Sequence, residues 1–198
     1  MGDTALELVS TVMTSPWLYV LLVALAVLDA FLPLVPSEAA VLLAGTFAAG
    51  HGPDLALVVL AGAVGAVAGD HVAYAVGRLL GNRVLSKVAP DTRTARAHAW
   101  AAEATARAGG PVLVGARFVP GGRTATTLAM GATGFPVRRF AAYDSVACVL
   151  WASWCSGVGY VGGRVFADHP FVGAAAGTVL ALLVGLVAAL AHRRSTAR

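Results

Sequence analysis

A chain of 198 residues that is 58% hydrophobic and 12% charged cannot clothe a soluble domain in polar groups. Its mean hydropathy of +0.78 points instead to an all-α integral membrane protein. The pI near 9.6 does not mark a nucleic-acid partner, because the basic residues are not interleaved with aromatics on a polar face.

In chain order, the opening Met1–Ser15 carries Asp3 and Glu7 without Lys or Arg, unlike a cleavable secretory signal. Pro16–Leu32 is apolar apart from Asp29 and closes an N-terminal segment, 1–30, that contains a first transmembrane helix. Leu55–Gly77 is interrupted by Asp70 and His71, and Phe140–Gly163 by Asp144. These stretches predict helices over 54–80 and 139–163. Phe171–Ala191 is uncharged over 21 residues, near the ~20 needed to cross a bilayer, and predicts a C-terminal transmembrane helix over 170–192.

Basic residues separate the apolar blocks. Arg83, Lys87, Arg93, Arg96 and Arg107 lie in the polar middle, Arg138 and Arg139 precede the block at 140, and Arg193, Arg194 and Arg198 end the chain. Among the candidate loops on the other side, only Arg164 is basic. The positive-inside rule places both termini and the middle in the cytoplasm, in a multi-pass protein of the inner (plasma) membrane.

Two apolar pieces, 31–50 and 111–137, then have both ends on one side. Each predicts a re-entrant hairpin with Pro near its tip, in LPLVPSE and FVPGGR. Irregular backbone at membrane depth is tolerated only under protein or in a hydrated cavity. The hairpins belong to an internal repeat: Pro36 and Pro120 are 84 positions apart, and Tyr74-Ala-Val-Gly-Arg78 and Tyr160-Val-Gly-Gly-Arg164 are 86 apart. Entry from opposite sides makes the repeat inverted, a signature of transporters. The core is thus 31–165.

Between the halves, 90–109 predicts a cytoplasmic amphipathic helix with Asp91 or Thr92 as N-cap and Gly109 as stop. Its basic residues and Trp100 suit either headgroup contact or a solvated linker. Gly65-x-x-x-Gly69 and Gly173-x-x-x-Gly177 permit close helix contact, and with it a homodimer.

Asp29, Glu38, Arg117 and Arg123 stand where hydrocarbon should be. Each charge at a helix centre costs about 2.5–3.5 kcal/mol, so the four are expected to face one another or a hydrated cavity. A salt-bridged clasp between the hairpins satisfies that need. So does an anion site: Arg117 and Arg123 flank a Pro-Gly-Gly turn, and the amides at Gly121 and Gly122 add fixed dipoles to two bidentate cations. Asp29 and Glu38 are then placed to exchange protons, with Asp70 and His71 as a relay. Asp144 follows Arg138 and Arg139 and reads as an acid favoured near a helix start. Cys148 and Cys155 are seven apart, about 10 Å of rise, and read as packing residues. Neither the cysteines nor the five histidines have metal-motif spacing, and no cofactor is expected.

LPLVPSEAAVLLAG, GDHVAYAVGRLLG and RFVPGGRTATTLAMGATGF, followed by the Trp151–Gly163 segment, resemble the DedA family of membrane proteins, which carry the VTT or SNARE-associated domain. The resemblance spans roughly residues 25–165. It implies movement of a polyprenyl phosphate or phospholipid between leaflets, undecaprenyl phosphate above all, with dependence on the proton gradient. It also implies essential acids at Asp29 and Glu38 and essential arginines at Arg117 and Arg123. The family's turn is usually Gly followed by an acid, where this chain has Ser37-Glu38. The rival readings are a phospholipid scramblase, a proton-coupled exporter of small cations, a lipid-phosphate phosphatase, and a structural module without transport.

Overall fold

The computed structural model describes residues 11–32, 35–50, 52–85, 92–117 and 122–165, all of it helix or connecting turn. The helices are α1 (Trp17–Asp29), α2 (Ser37–Ala48), α3 (Leu55–Leu85), α4 (Arg93–Ala108), α5 (Val112–Ala116), α6 (Gly122–Ala132) and α7 (Val137–Val165). Residues 1–10 of the N-terminal segment and the helix predicted over 170–192, with Gly173-x-x-x-Gly177, lie outside the described residues.

Helices α3 and α7 have 31 and 29 residues, so they rise about 46 and 43 Å. Both are long and apolar enough to cross a membrane. Helix α1 has 13 residues and rises about 20 Å, less than the ~30 Å hydrocarbon core. The first span read at 16–32 is therefore shorter as regular helix than its apolar stretch, and Ser15–Pro16 break it from the helical residues 11–14. Helix α2 is shorter still, at 12 residues.

Local chemistry sets the ends. Asp54 caps α3, its Oδ1 accepting from the Leu57 N–H at 3.0 Å. Thr92 caps α4 through the Ala95 N–H at 3.2 Å, and Gly109, at φ 63°, stops it. The sequence offered Asp91 or Thr92 for that cap, and Thr92 takes it. Helix α6 ends in a Schellman turn: Phe135 N–H donates to the Met130 carbonyl at 2.9 Å and Gly134 N–H to Gly131 at 3.1 Å, with Gly134 at φ 71°. The Tyr74 hydroxyl donates to the Phe135 carbonyl and fixes this turn against α3.

The burial pattern is inverted relative to a soluble domain. Leu60, Val64, Leu79, Val146, Val149 and Val161 are exposed, while Asp70, Arg117 and Asp144 are buried. Such an apolar exterior over a charged interior is what lipid as solvent selects.

Small residues set the helix crossings. Helix α1 lies on α3 at Gly65 and Gly69, where an added Cβ would come within 3 Å of Val23, Ala26 and Ala30 atoms. Helix α2 runs along α7, Leu42 meeting Gly159 and Thr46 meeting Gly163. Helix α6 runs along α3, with Leu128 against Gly77. One apolar cluster joins α1, α2, α3 and α7 around Leu22, Val41, Val58 and Trp151. A second gathers Tyr74, Leu113, Met130 and Phe140. Helix α4 rests on α6 and buries Ala101 and Thr105, leaving Trp100 partly exposed.

Candidate functional site: a buried chain of alternating charges

Helices α1, α3 and α7 deliver carboxylates, and the segment from α5 to α6 delivers arginines, to one place. Arg117, the C-cap of α5, donates from Nη1 to Asp70 Oδ2 at 2.7 Å and lies 3.9 Å from Asp144 Oδ1. Its side chain is 3% exposed, and both carboxylates are 1% exposed. Arg123, in the first turn of α6, reaches the other way. Its Nη2 donates to the Asp29 carbonyl at 2.8 Å and pairs with Asp29 Oδ2 at 3.3 Å, and its Nε is 3.7 Å from Asp70 Oδ1. Asp29 also accepts from the Ser37 hydroxyl at 2.8 Å, which ties the end of α1 to the start of α2.

His71 ends the chain. Its Nδ1 is 2.8 Å from the Val67 carbonyl and 3.6 Å from Asp144 Oδ2. A carbonyl only accepts, so Nδ1 carries a proton in this contact. The order is Asp29–Arg123–Asp70–Arg117–Asp144–His71. Three carboxylates face two guanidiniums, and the His71 side chain, 35% exposed, is its most exposed member.

Arg117 also lies 5.1 Å from the centroid of the Trp151 ring. It uses only part of its donor fork: Nε and Nη2 are buried and have no hydrogen-bond partner among the described residues. Asp144 Oδ2 likewise has none. A buried donor left unmade costs about 1–3 kcal/mol, so this arrangement costs stability unless something else uses the atoms.

The fold sorts the residues singled out from sequence. Asp29, Arg117, Arg123, Asp70 and His71 come together. Glu38 does not: it is exposed in the first turn of α2 and makes no ion pair among the described residues. A carboxylate at a helix N-terminus is favoured by the helix dipole, which accounts for its place. The expectation that the four charges face one another therefore holds for Asp29 with Arg123, whereas Arg117 turns to Asp70 and Asp144. Gly122 is buried at the start of α6. Gly121 lies outside the described residues.

Asp144 is a correction. It lies about two turns into α7, beyond the first turn, and is fully buried, so the helix-start reading fails. Its signal was present in the sequence: Phe140, Asp144, Cys148, Trp151 and Cys155 recur at i+4 and i+3 on one face. Cys148 is also more than filler, its thiol lying 3.6 Å from Asp144 Oδ1 and 3.9 Å from Asp70 Oδ2. Ser37 was not singled out because a hydroxyl carries little signal in sequence. Asp70, Asp144 and Cys148 offer ligand atoms within 4.8 Å of one another. Arg117 already lies against both acids, so a cation there would meet its charge.

Comparison with known proteins gives this geometry its family. Residues 35–161 match the model of the VTT domain. The chain is 27% identical over 193 residues to Protein DedA of Escherichia coli K12, covering 92% of this chain and 86% of that protein. It is 32% identical over 145 residues to the uncharacterized membrane protein Rv0364 of Mycobacterium tuberculosis H37Rv, covering 71% and 61%. No solved structure matches the chain significantly. The matched span takes in Asp70, both arginines, Asp144 and both long helices, and the chain is a membrane protein that belongs to the VTT-domain (DedA) family.

Proposed function

We propose that this protein is a transporter that moves a lipid phosphate between the leaflets of the plasma membrane. Undecaprenyl phosphate is the favoured substrate, and protons are the coupling ion. One observation carries the reading: Arg117, buried between the two long helices, keeps Nε and Nη2 without hydrogen-bond partners among the described residues. A guanidinium with two open donors is matched by phosphate oxygens. Arg123 supplies the second cation. The amide at Gly122, where α6 begins, supplies a further positive dipole, and Gly121 belongs to the same proposed set. The hydrocarbon tail stays in lipid while the headgroup passes through, which avoids burying tens of carbons in protein.

The reading needs the two short elements to be re-entrant hairpins of an inverted repeat. The parallel courses of α2 along α7 and of α6 along α3 support it, because each hairpin helix then packs on the other half's long helix. Both termini are cytoplasmic in this arrangement. Asp29, which shares Arg123, and Glu38, at the exposed start of α2, are the proton carriers, with Asp70 and His71 as the relay. An anion arriving at the arginines must displace carboxylates that hold them, and protonation of those carboxylates lowers the cost. Binding and proton uptake are thereby coupled.

The test is leaflet transfer of undecaprenyl phosphate in proteoliposomes with and without a proton gradient. Wild type should transfer in a gradient-dependent way and Arg117→Ala should not. Normal transfer by Arg117→Ala sinks the proposal, and gradient-independent transfer of any phospholipid indicates a scramblase. A lipid-phosphate phosphatase is the second reading, favoured by His71 standing 3.6 Å from Asp144 at the end of the arginine cluster. Release of inorganic phosphate during the same assay identifies it.

A further inference from the structure

Apart from Ser37, which donates to Asp29, three buried helical hydroxyls among the described residues share one habit. Thr46 donates to the Leu42 carbonyl at 3.1 Å, Thr105 to Ala101 at 2.7 Å and Ser156 to Ala152 at 2.6 Å. Thr133, just past α6, does the same to Ala129 at 2.8 Å. Each returns its proton one turn back, which satisfies a hydroxyl where no water reaches. Thr126 and Thr127 break the habit. Both are fully buried, yet neither Oγ1 has a hydrogen-bond partner among the described residues. The carbonyls one turn back, at Gly122 and Arg123, are not used by them.

Their position is informative. Thr126 and Thr127 follow Arg123 by three and four residues, so they stand on the same face of α6 one turn further in. Among the described residues, the other buried side-chain donors without partners are Nε and Nη2 of Arg117. The open side-chain donors among the described residues thus all belong to Arg117, Thr126 and Thr127, beside the arginines of the proposed anion site. A buried hydroxyl with nothing to bond is a standing cost. An anion's oxygens accept several hydrogen bonds at once, and bonds to a charged acceptor are the stronger kind.

We propose that Thr126 and Thr127 are phosphate-binding residues, two hydroxyl donors that complete the set begun by Arg117 and Arg123. The inference rests on the anion-site reading and adds the residues that hold the headgroup inside the helix crossing. Substrate binding then satisfies polar atoms that the ligand-free protein leaves open.

The test uses Thr126→Val, Thr127→Val and the double variant, since valine keeps the shape and removes the hydroxyl. Two quantities are read on purified full-length protein: the melting temperature without ligand, and the affinity for undecaprenyl phosphate by native mass spectrometry. The expected result is a melting temperature equal to or above wild type, with affinity about tenfold weaker per hydroxyl. The hydroxyl-retaining Thr126→Ser and Thr127→Ser variants should bind within about twofold of wild type. A lower melting temperature in the valine variants would mean the hydroxyls already had partners, and overturns the proposal. Unchanged affinity in the double variant, with binding lost in Arg117→Ala, overturns it and leaves the anion site standing. Absence of binding by wild type removes both.

Discussion

The protein contains two helix crossings built alike and filled differently. In one, Gly45 meets the Ser156 carbonyl and Gly159 meets the Leu42 carbonyl. In the other, Gly131 meets the Tyr74 carbonyl and Gly77 meets the Leu128 carbonyl. Gly45 and Gly131 are 86 positions apart, as are Leu42 and Leu128, while Tyr74 and Ser156, and Gly77 and Gly159, are 82 apart. The same backbone contacts therefore recur. The same 82-position relation links Gly62 to Asp144 and Asp70 to Ala152. Gly62 and Ala152 pack quietly together, an added Cβ on Gly62 lying 3.4 Å from that of Ala152. Asp70 and Asp144 instead grip Arg117.

The contrast separates scaffold from chemistry. If the short helices α2 and α6 needed ions to stay on the long helices, both crossings would carry them. One manages with small and apolar residues at its contacts and with no ion pair between its two helices among the described residues. The charges in the other thus exceed what packing requires, which argues against a mere clasp.

Substitutions can break the shared part first. Gly131→Val and Gly45→Val would each place carbon within about 2.5 Å of a backbone carbonyl, at Tyr74 and Ser156. Backbone cannot swing aside as a side chain can, so each should cost more than about 3 kcal/mol and abolish the monodisperse folded peak in detergent chromatography. Both crossings should fail alike.

The next effect should divide them. Arg117→Ala leaves buried Asp70 and Asp144 with only the longer contacts to Arg123 and His71, and should cost about 3–5 kcal/mol in chemical denaturation. Replacing the group together, Arg117→Met with Asp70→Leu and Asp144→Leu, makes this crossing as dry as its counterpart. That triple variant should fold at least as stably as Arg117→Ala and still transport nothing. A triple variant that transports would end the claim that these charges are functional.

Smaller effects refine the comparison. Ser37→Ala removes one hydrogen bond to Asp29 and should cost about 1–2 kcal/mol, read as a modest fall in melting temperature. Arg107→Ala breaks an exposed i,i+4 pair with Glu103 and should change stability by under about 0.5 kcal/mol. Transport should be untouched by it.

Much of this was legible in the sequence. The long helices, the cap at Thr92 and the stop at Gly109 follow from apolar runs and local hydrogen bonding. So does the meeting of Asp29 with Arg123, since charges in apolar segments must find partners. What was misread has a physical cause. The Tyr-x-x-Gly-Arg motif set the long helices 86 positions apart, whereas the packing contacts set them 82 apart. A slip of four residues is about one helical turn and returns the same face, so small-residue patterns fit both registers. Glu38 sits beside Ser37 in sequence, yet neighbours on a helix point about 100° apart, and Ser37 is the one that turns to Asp29. Asp144 was masked by Arg138 and Arg139, although the stripe through Cys148 and Trp151 already placed it inside.

Binding of undecaprenyl phosphate to the purified protein is the most direct test of the central claim. Native mass spectrometry would compare wild type with Arg117→Ala and Arg123→Ala, with phosphatidylglycerol as competitor. A built phosphate site predicts selective binding by wild type that is lost in both variants. Equal binding by all three proteins would contradict it and return the arginines to a structural role.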